Sequence, residues 1–145
     1  EKDFVKKSAR EYGNQCIVVG VDIKLKDNEY VVSYDNGKNY SNLKIFNYIE
    51  YLKEQGAGEI LINFVDLDGK MAGTNLELLE KICNFTNTPI IVIGGIGNFK
   101  HVSDVFQKTK AAAVACSSLF HFGSNDPIRL RSFLKNQNIT QRRTK

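Results

Sequence analysis

CIVVGVDIK, residues 16–24, sets an apolar, β-branched run against a carboxylate at Asp22 and an ammonium at Lys24. Valine and isoleucine pack well on a pleated surface, so the run reads as a buried strand. An unpaired buried carboxylate costs on the order of several kcal/mol, and a strand this apolar should end before any acid. Asp22 is then either a loop residue in water, capping the next loop, or a residue that a site requires. The same arrangement recurs along the chain. EILINFVDLDG puts Asp66 and Asp68 at the end of the strand-like stretch Glu59 to Val65 and before Gly69. PIIVIGGIGN, residues 89–98, ends in glycines, and AAAVACSSLF, residues 111–120, ends around Ser117 and Ser118. Four strands therefore finish in small or polar residues on the same side.

The segments between them read as helices. An opening helix runs from about Lys2 to Tyr12. SNLKIFNYIEYLKEQGAG carries an apolar stripe at Leu43, Phe46, Ile49 and Leu52, with Ser41 or Asn42 as cap and Gly56 as a left-handed stop. Thr74 to Glu77 matches a capping box, ahead of a stripe at Leu76, Leu79 and Ile82 or Cys83. Further helices are expected from Asn98 or Phe99 to Lys108, and from the Asp126-Pro127 start to about Lys135. NEYVVSYDNGKNY reads as a β-hairpin inserted after the first strand, because Asp35-Asn36-Gly37 tolerates positive φ between β-rich flanks. The predicted order is a helix and then four βα units. That is an α/β fold with a parallel sheet and ligand groups gathered at the C-terminal ends of the strands. A doubly wound, flavodoxin-like sheet is the alternative, separated from the first by strand order.

Composition bounds the class. The 145 residues are 42% hydrophobic and 25% charged, enough for one domain, 1–145, with a sizeable core. No apolar run approaches the ~20 residues that cross a bilayer, and EKDFVKKSAREYG is not a secretion signal, so a cytoplasmic protein is expected. The net charge of +4 is spread along the chain, apart from a basic tail over about 138–145 that ends in QRRTK and reads as solvated and frayed. No nucleic-acid motif accompanies it, although anionic substrates fit the charge. Cys16, Cys83 and Cys116 are odd in number and widely spaced, which argues for buried free thiols and against disulfides or a metal site. VIGGIGN is a tight strand-to-helix turn or a phosphate cradle, and the serine pair on the neighbouring strand tips it toward the cradle. Asp66, His101 and His121 read as structural, and Lys24 as solvated rather than paired with Asp22.

GNQCIVVGVDIK, QGAGEILINFVDLDGKMAG, PIIVIGGIGN and SSLFHF, in this order and spacing, resemble the cyclase subunit of imidazole glycerol phosphate synthase over about Tyr12 to Lys135. The resemblance covers the C-terminal half of that (βα)8 barrel, from the fifth strand to the eighth helix. It implies a parallel (βα)4 half of a TIM-type barrel with the hairpin inserted after its first strand. It also implies an ammonia-dependent lyase and cyclase of histidine biosynthesis, acting on a bis-phosphorylated aminoimidazole carboxamide ribonucleotide without a cofactor. The ammonia comes from a glutaminase partner. Two aspartates serve as general acid and base, and Asp22 matches the one on the fifth strand, while the first-strand partner has no counterpart. Asp68, Gly69, Gly95, Ser117 and Ser118 stand where the family holds one substrate phosphate. An isolated half is expected to be inactive, and to need the missing N-terminal half-barrel or self-association.

The chain also departs from the family pattern. Lys70 to Asn75 replaces the usual Thr-x-Ser-Gly-Tyr-Asp, and Val92-Ile93-Gly94-Gly95 replaces Ala-Ser-Gly-Gly. Two hydroxyls and a carboxylate near the substrate are lost. The alternatives are a cyclase-like paralogue that supplies nitrogen for amidination of surface-polysaccharide sugars, and a noncatalytic phosphate-binding or self-assembling half-barrel.

Overall fold

The β-branched runs fold into a single sheet in a computed structural model that describes residues 3–142. In chain order the elements are α1 (Phe4–Tyr12), a 3-10 turn (Asn14–Cys16), β1 (Val18–Lys26), β2 (Glu29–Tyr34), β3 (Asn39–Lys44) and α2 (Ile45–Glu54). There follow β4 (Glu59–Phe64), α3 (Leu76–Phe85), β5 (Ile90–Ile93), α4 (Phe99–Lys108), β6 (Ala113–Val114), α5 (Ser118–His121) and α6 (Pro127–Asn136). The expected start of the first helix at Lys2 lies outside the described residues. The sheet runs β3-β2-β1-β4-β5-β6. β1, β4, β5 and β6 are parallel neighbours, and β2 and β3 add antiparallel on the far side of β1.

The parallel strands stand in sequence order without a reversal. The doubly wound alternative needs such a reversal and helices on both faces, and here α2, α3 and α4 bury the same one. Ile49 and Leu52 of α2, Leu79 and Ile82 of α3 and Val102 and Val105 of α4 join Val21, Ile23, Ile60, Ile62, Phe64, Ile90 and Val92 in one core. The opposite face carries the alternate residues Gly20, Asp22, Leu61, Asn63, Ile91, Ile93 and Ala113, which are half-buried or exposed. The result is a parallel-dominated α/β sheet compatible with part of a TIM barrel.

Several local expectations are corrected. β1 does not end at Asp22, where the strand was expected to finish, but continues to Lys26, because Asp22 to Lys26 pair with Glu29 to Ser33 of β2. Asp27 and Asn28, at φ 48° and 65°, make the two-residue turn between these strands. Ser41 and Asn42 do not cap α2. They belong to β3, where Ser41 Oγ donates to Val32 O at 3.3 Å, and α2 starts behind Lys44 with no side-chain cap. Leu43 consequently leaves the expected stripe and lies exposed on the strand. The cap of α3 is Asn75 rather than Thr74, its Oδ1 accepting from Leu78 N–H at 3.0 Å. The fourth parallel strand shrinks to Ala113–Val114, and the short α5 follows where the strand was expected to continue. Gln141 and Arg142 are not frayed: Gln141 Nε2 donates to Arg131 O at 2.8 Å, and Arg131 donates to Arg142 O at 2.7 Å. Residues 143–145 of the basic tail lie outside the described residues. Cys16 is exposed in the 3-10 turn rather than buried, Cys83 is buried in α3, and Cys116 is half-buried beyond β6.

Candidate functional site

Paired residues on neighbouring strands project to the same side of a sheet. The register Asp22↔Asn63 and Asn63↔Ile93 therefore lines these three side chains up on the face without helices, near the C-terminal ends of β4 and β5 and midway along β1, where its pairing with β4 stops. Asp22 is half-buried there, and Asn63 Nδ2 donates to its Oδ1 at 2.8 Å. This contact answers why an acid tolerates an apolar strand. It is partly hydrated, and it accepts a hydrogen bond from the amide of the neighbouring strand. Sequence reasoning missed Asn63. The available signal was an amide at an inward-alternating position in ILINF, since a polar residue in such a run needs a partner.

The neighbouring polar residues mostly hold loops. Asp66 Oδ2 accepts from Leu25 N–H at 2.7 Å, tying the extended end of β1 to the end of β4, as its structural reading expected. Lys24 is neither solvated nor paired with Asp22. It is half-buried, with Nζ donating to Gly37 O at 2.9 Å, which pins the β2–β3 turn. His101 Nδ1 accepts from Gly97 N–H at 3.2 Å and closes the β5–α4 loop, while His121 is exposed with its ring edge-on to Phe122. Burial pushes the Cys116 thiol up from its ordinary pKa, and that of Cys83 as well, so neither is an activated nucleophile.

A narrow cleft opens beside this row, where the loops after β4, β5 and β6 converge. Asp68 and Gly69, Ile93 to Ile96, and Ala115 to Ser118 line it. The structure thus brings Asp68, Gly69, Gly95, Ser117 and Ser118 to one place, with Asp22 outside it on β1. Adjacent strands lie about 4.8 Å apart, so the Asp22 strand is roughly 10 Å from the β5 loop. Gly69 sits exposed at φ 73°, and a Cβ there would meet no atom within 4 Å. Gly95 is buried at φ 85°, and a side chain there would collide with the Gly73 carbonyl oxygen, so loop packing already demands glycine. Gly73 N–H also donates to Gly95 O at 2.8 Å. Asp68 donates its own N–H to Phe64 O at 3.1 Å, leaving an exposed carboxylate rather than a free amide. Among the described residues no lysine or arginine lines the cleft, so an anion there would depend on backbone N–H groups and the serine hydroxyls. α5 has only four residues, and α4 already has its N-terminus capped by Asn98, which accepts from His101 N–H at 2.9 Å. Helix dipoles therefore add little to such a site. Wider concavities of about 440 Å³ and 550 Å³ lie beside Tyr30 and α3 and between α1 and α2, and one of about 530 Å³ lies against Asp22, Ser33 and Ser41.

The sheet order, the loops meeting at the strand ends and the half-buried aspartate define a parallel-dominated α/β protein whose polar side chains and loops gather at one edge of its sheet. The chain belongs to the family described as histidine biosynthesis protein, whose model matches residues 1–126. It is 34% identical over 142 residues to the imidazole glycerol phosphate synthase subunit HisF of Chlorobium limicola, covering 98% of this chain and 57% of the relative. With the subunit of the same name from Saccharolobus solfataricus it shares 37% identity over 139 residues, covering 96% of this chain and 55% of that one. The Prochlorococcus marinus subunit is 36% identical over 135 residues, covering 91% and 53%. The chain thus spans just over half the length of the curated relatives it matches. Among the described residues, no helix is long and apolar enough to cross a membrane.

Proposed function

We propose that the chain is the C-terminal half of an imidazole glycerol phosphate synthase cyclase or a close variant of one. In the complete protein it contributes one acid/base aspartate, Asp22, and one of two phosphate sites to an ammonia-dependent lyase and cyclase. The observation that carries this reading is the half-buried Asp22, held by Asn63 on the same rim as the cleft of Gly69, Gly95, Ser117 and Ser118. Ser117, Ser118 and the glycine backbone hold the phosphate. Asp68, whose ionised carboxylate would repel an anion, instead accepts from a ligand hydroxyl at the rim. A second support is the apolar character of Leu61, Ile91 and Ile93 on the uncovered sheet face. Strands of parallel sheets read this way when both faces are covered, as they are in a closed (βα)8 barrel. One half alone lacks the second aspartate and is inactive.

The substitutions of Ala72, Asn75 and Ile93 for family hydroxyl and carboxylate residues favour a second reading, a paralogue with another substrate. Ile93 brings an apolar side chain to the cleft, and Asn75 is engaged as the α3 cap. Assaying the complete protein with the histidine-pathway nucleotide decides between them. In that protein Asp22→Asn should lower turnover by about 10²–10⁴ while phosphate affinity stays the same. Unchanged turnover rejects Asp22 as acid or base. Absent turnover in the unsubstituted protein favours the paralogue.

A further inference from the structure

The positive charge of the chain gathers on α6 and the segment after it. Residues 127–145 hold six of the 20 lysines and arginines and none of the 16 acids, so the whole net charge of +4 originates there. α6 buries Leu134 and packs Leu130 and Phe133 against the core, which leaves its opposite side facing outward. Ile128, Arg131, Ser132 and Lys135 recur on that side at helical spacing, and all four are exposed. The chain after α6 folds back along it. Arg131 donates to Arg142 O at 2.7 Å, and Gln141 Nε2 donates to Arg131 O at 2.8 Å. The two segments form a concavity of about 500 Å³ that Arg131, Ser132, Lys135, Thr140 and Arg142 line, with no acid among its described residues. The nearest acid in the sequence, Asp126, is engaged as the α6 cap and accepts from Arg129 N–H at 2.8 Å. Apolar surface stands beside these cations. Ile128 is 77% exposed and Phe122, in the loop leading into α6, 73%, more than any other large apolar side chain among the described residues.

We propose that this side of α6 docks on an anionic lipid surface, lying on the bilayer without crossing it. Headgroup phosphates enter the concavity and meet Arg131, Lys135, Arg142 and the hydroxyls of Ser132 and Thr140, while Ile128 dips into the boundary between headgroups and acyl chains. Charge complementarity selects the sign of the partner, since Arg129, Arg131, Lys135 and Arg142 are all exposed on a segment that carries no acid. The isoleucine selects its kind. A nucleic acid is held by cations and by aromatic rings that stack on its bases, and an aliphatic side chain amid the cations would gain little from it. A free phosphate would leave Ile128 in water, whereas a bilayer accepts the cations and the isoleucine together. The contact is independent of whichever substrate the strand-end loops receive.

Vesicle flotation tests this, with vesicles of phosphatidylcholine alone and of phosphatidylcholine mixed with phosphatidylglycerol. The chain should float with the anionic vesicles only, and added salt should release it. Each cation near an anionic surface contributes about 5-fold to partitioning, so Lys135→Gln combined with Arg142→Gln should weaken it about 20-fold. Ile128→Ser should weaken it about 5–10-fold. All three side chains are exposed, so the circular dichroism of both variants should match the parent. Equal flotation with neutral vesicles overturns the proposal, because the uncovered sheet face would then be the adhesive surface. Flotation with neither kind of vesicle overturns it, and so does undiminished binding by the Lys135 and Arg142 double variant. Displacement from anionic vesicles by a single-stranded oligoribonucleotide, with binding fully kept in Ile128→Ser, would assign the cations to nucleic acid and overturn it as well.

Discussion

Asp104 on α4 lies one turn from a lysine on each side. Lys100 Nζ reaches its two oxygens at 3.0 and 2.8 Å, and Lys108 Nζ stands 3.2 Å from Oδ1. The hydrogen bond from Lys100 is the main reason its carboxyl is held below the ordinary range, helped by Lys108 and opposed by burial. A carboxyl with a depressed folded pKa stabilises the fold above its unfolded value, and the contribution disappears as pH falls through the folded one. Both lysines are largely exposed, so the pairs together contribute only about 0.5–1 kcal/mol. Asp104→Asn should therefore lower the melting temperature by about 1–4 °C at pH 7, and the difference should vanish near pH 2. Thermal melts at both pH values check this, and an equal gap at acid pH would sink it. The same scale explains what was hidden at the site. Asp22 was readable as an acid in an apolar run. Asn63 was not tied to it, because an amide meeting a carboxylate across two strands depends on register, which no local pattern contains.

Element boundaries followed local chemistry wherever nothing stronger competed. Gly56 ends the α2 region at φ 92°, Asn98 caps α4, and Asp126 caps α6 by accepting from Arg129 N–H at 2.8 Å ahead of Pro127. Ser41 and Asn42 failed as caps because pairing with β2 claimed them first, a tertiary contact overriding a local preference. The length of β1 was readable and overlooked: DIKLK, residues 22–26, alternates polar and apolar in the manner of a half-exposed strand. The caps also make a quantitative claim. Asn98→Ala removes the acceptor for His101 N–H and should cost about 1 kcal/mol, lowering the melting temperature by roughly 2–4 °C, whereas Asn98→Asp should keep most of that stability. Equal melting of the alanine variant and the parent would mean that water caps α4 as well as the side chain does.

At the scale of the molecule the sheet is unequal in its two faces although its sequence is not. Ile60 and Ile62 are fully buried under the helices, while Leu61, between them on β4, faces the side that no helix covers. Ile91 and Ile93 repeat this on β5, and Val18 on β1 is 52% exposed. The outer edge of β1 is also open below Asp22, since β2 pairs only with residues 22–26. A contiguous apolar face next to an unpaired strand edge favours association with another surface. In solution the chain should therefore scatter light as a particle larger than one copy, or bind a dye that reports exposed apolar surface. Leu61→Lys should shift it toward the monomer while leaving the helical circular dichroism in place, because no helix packs on that side. Ile62→Lys, one residue along, should abolish folding by placing an ammonium in the core at a cost of several kcal/mol. If both variants unfolded, Leu61 would be a core residue of a self-sufficient domain. If the parent were monomeric and left the dye unbound, the uncovered face would need no partner, and the reading of this chain as part of a larger barrel would lose its main physical support.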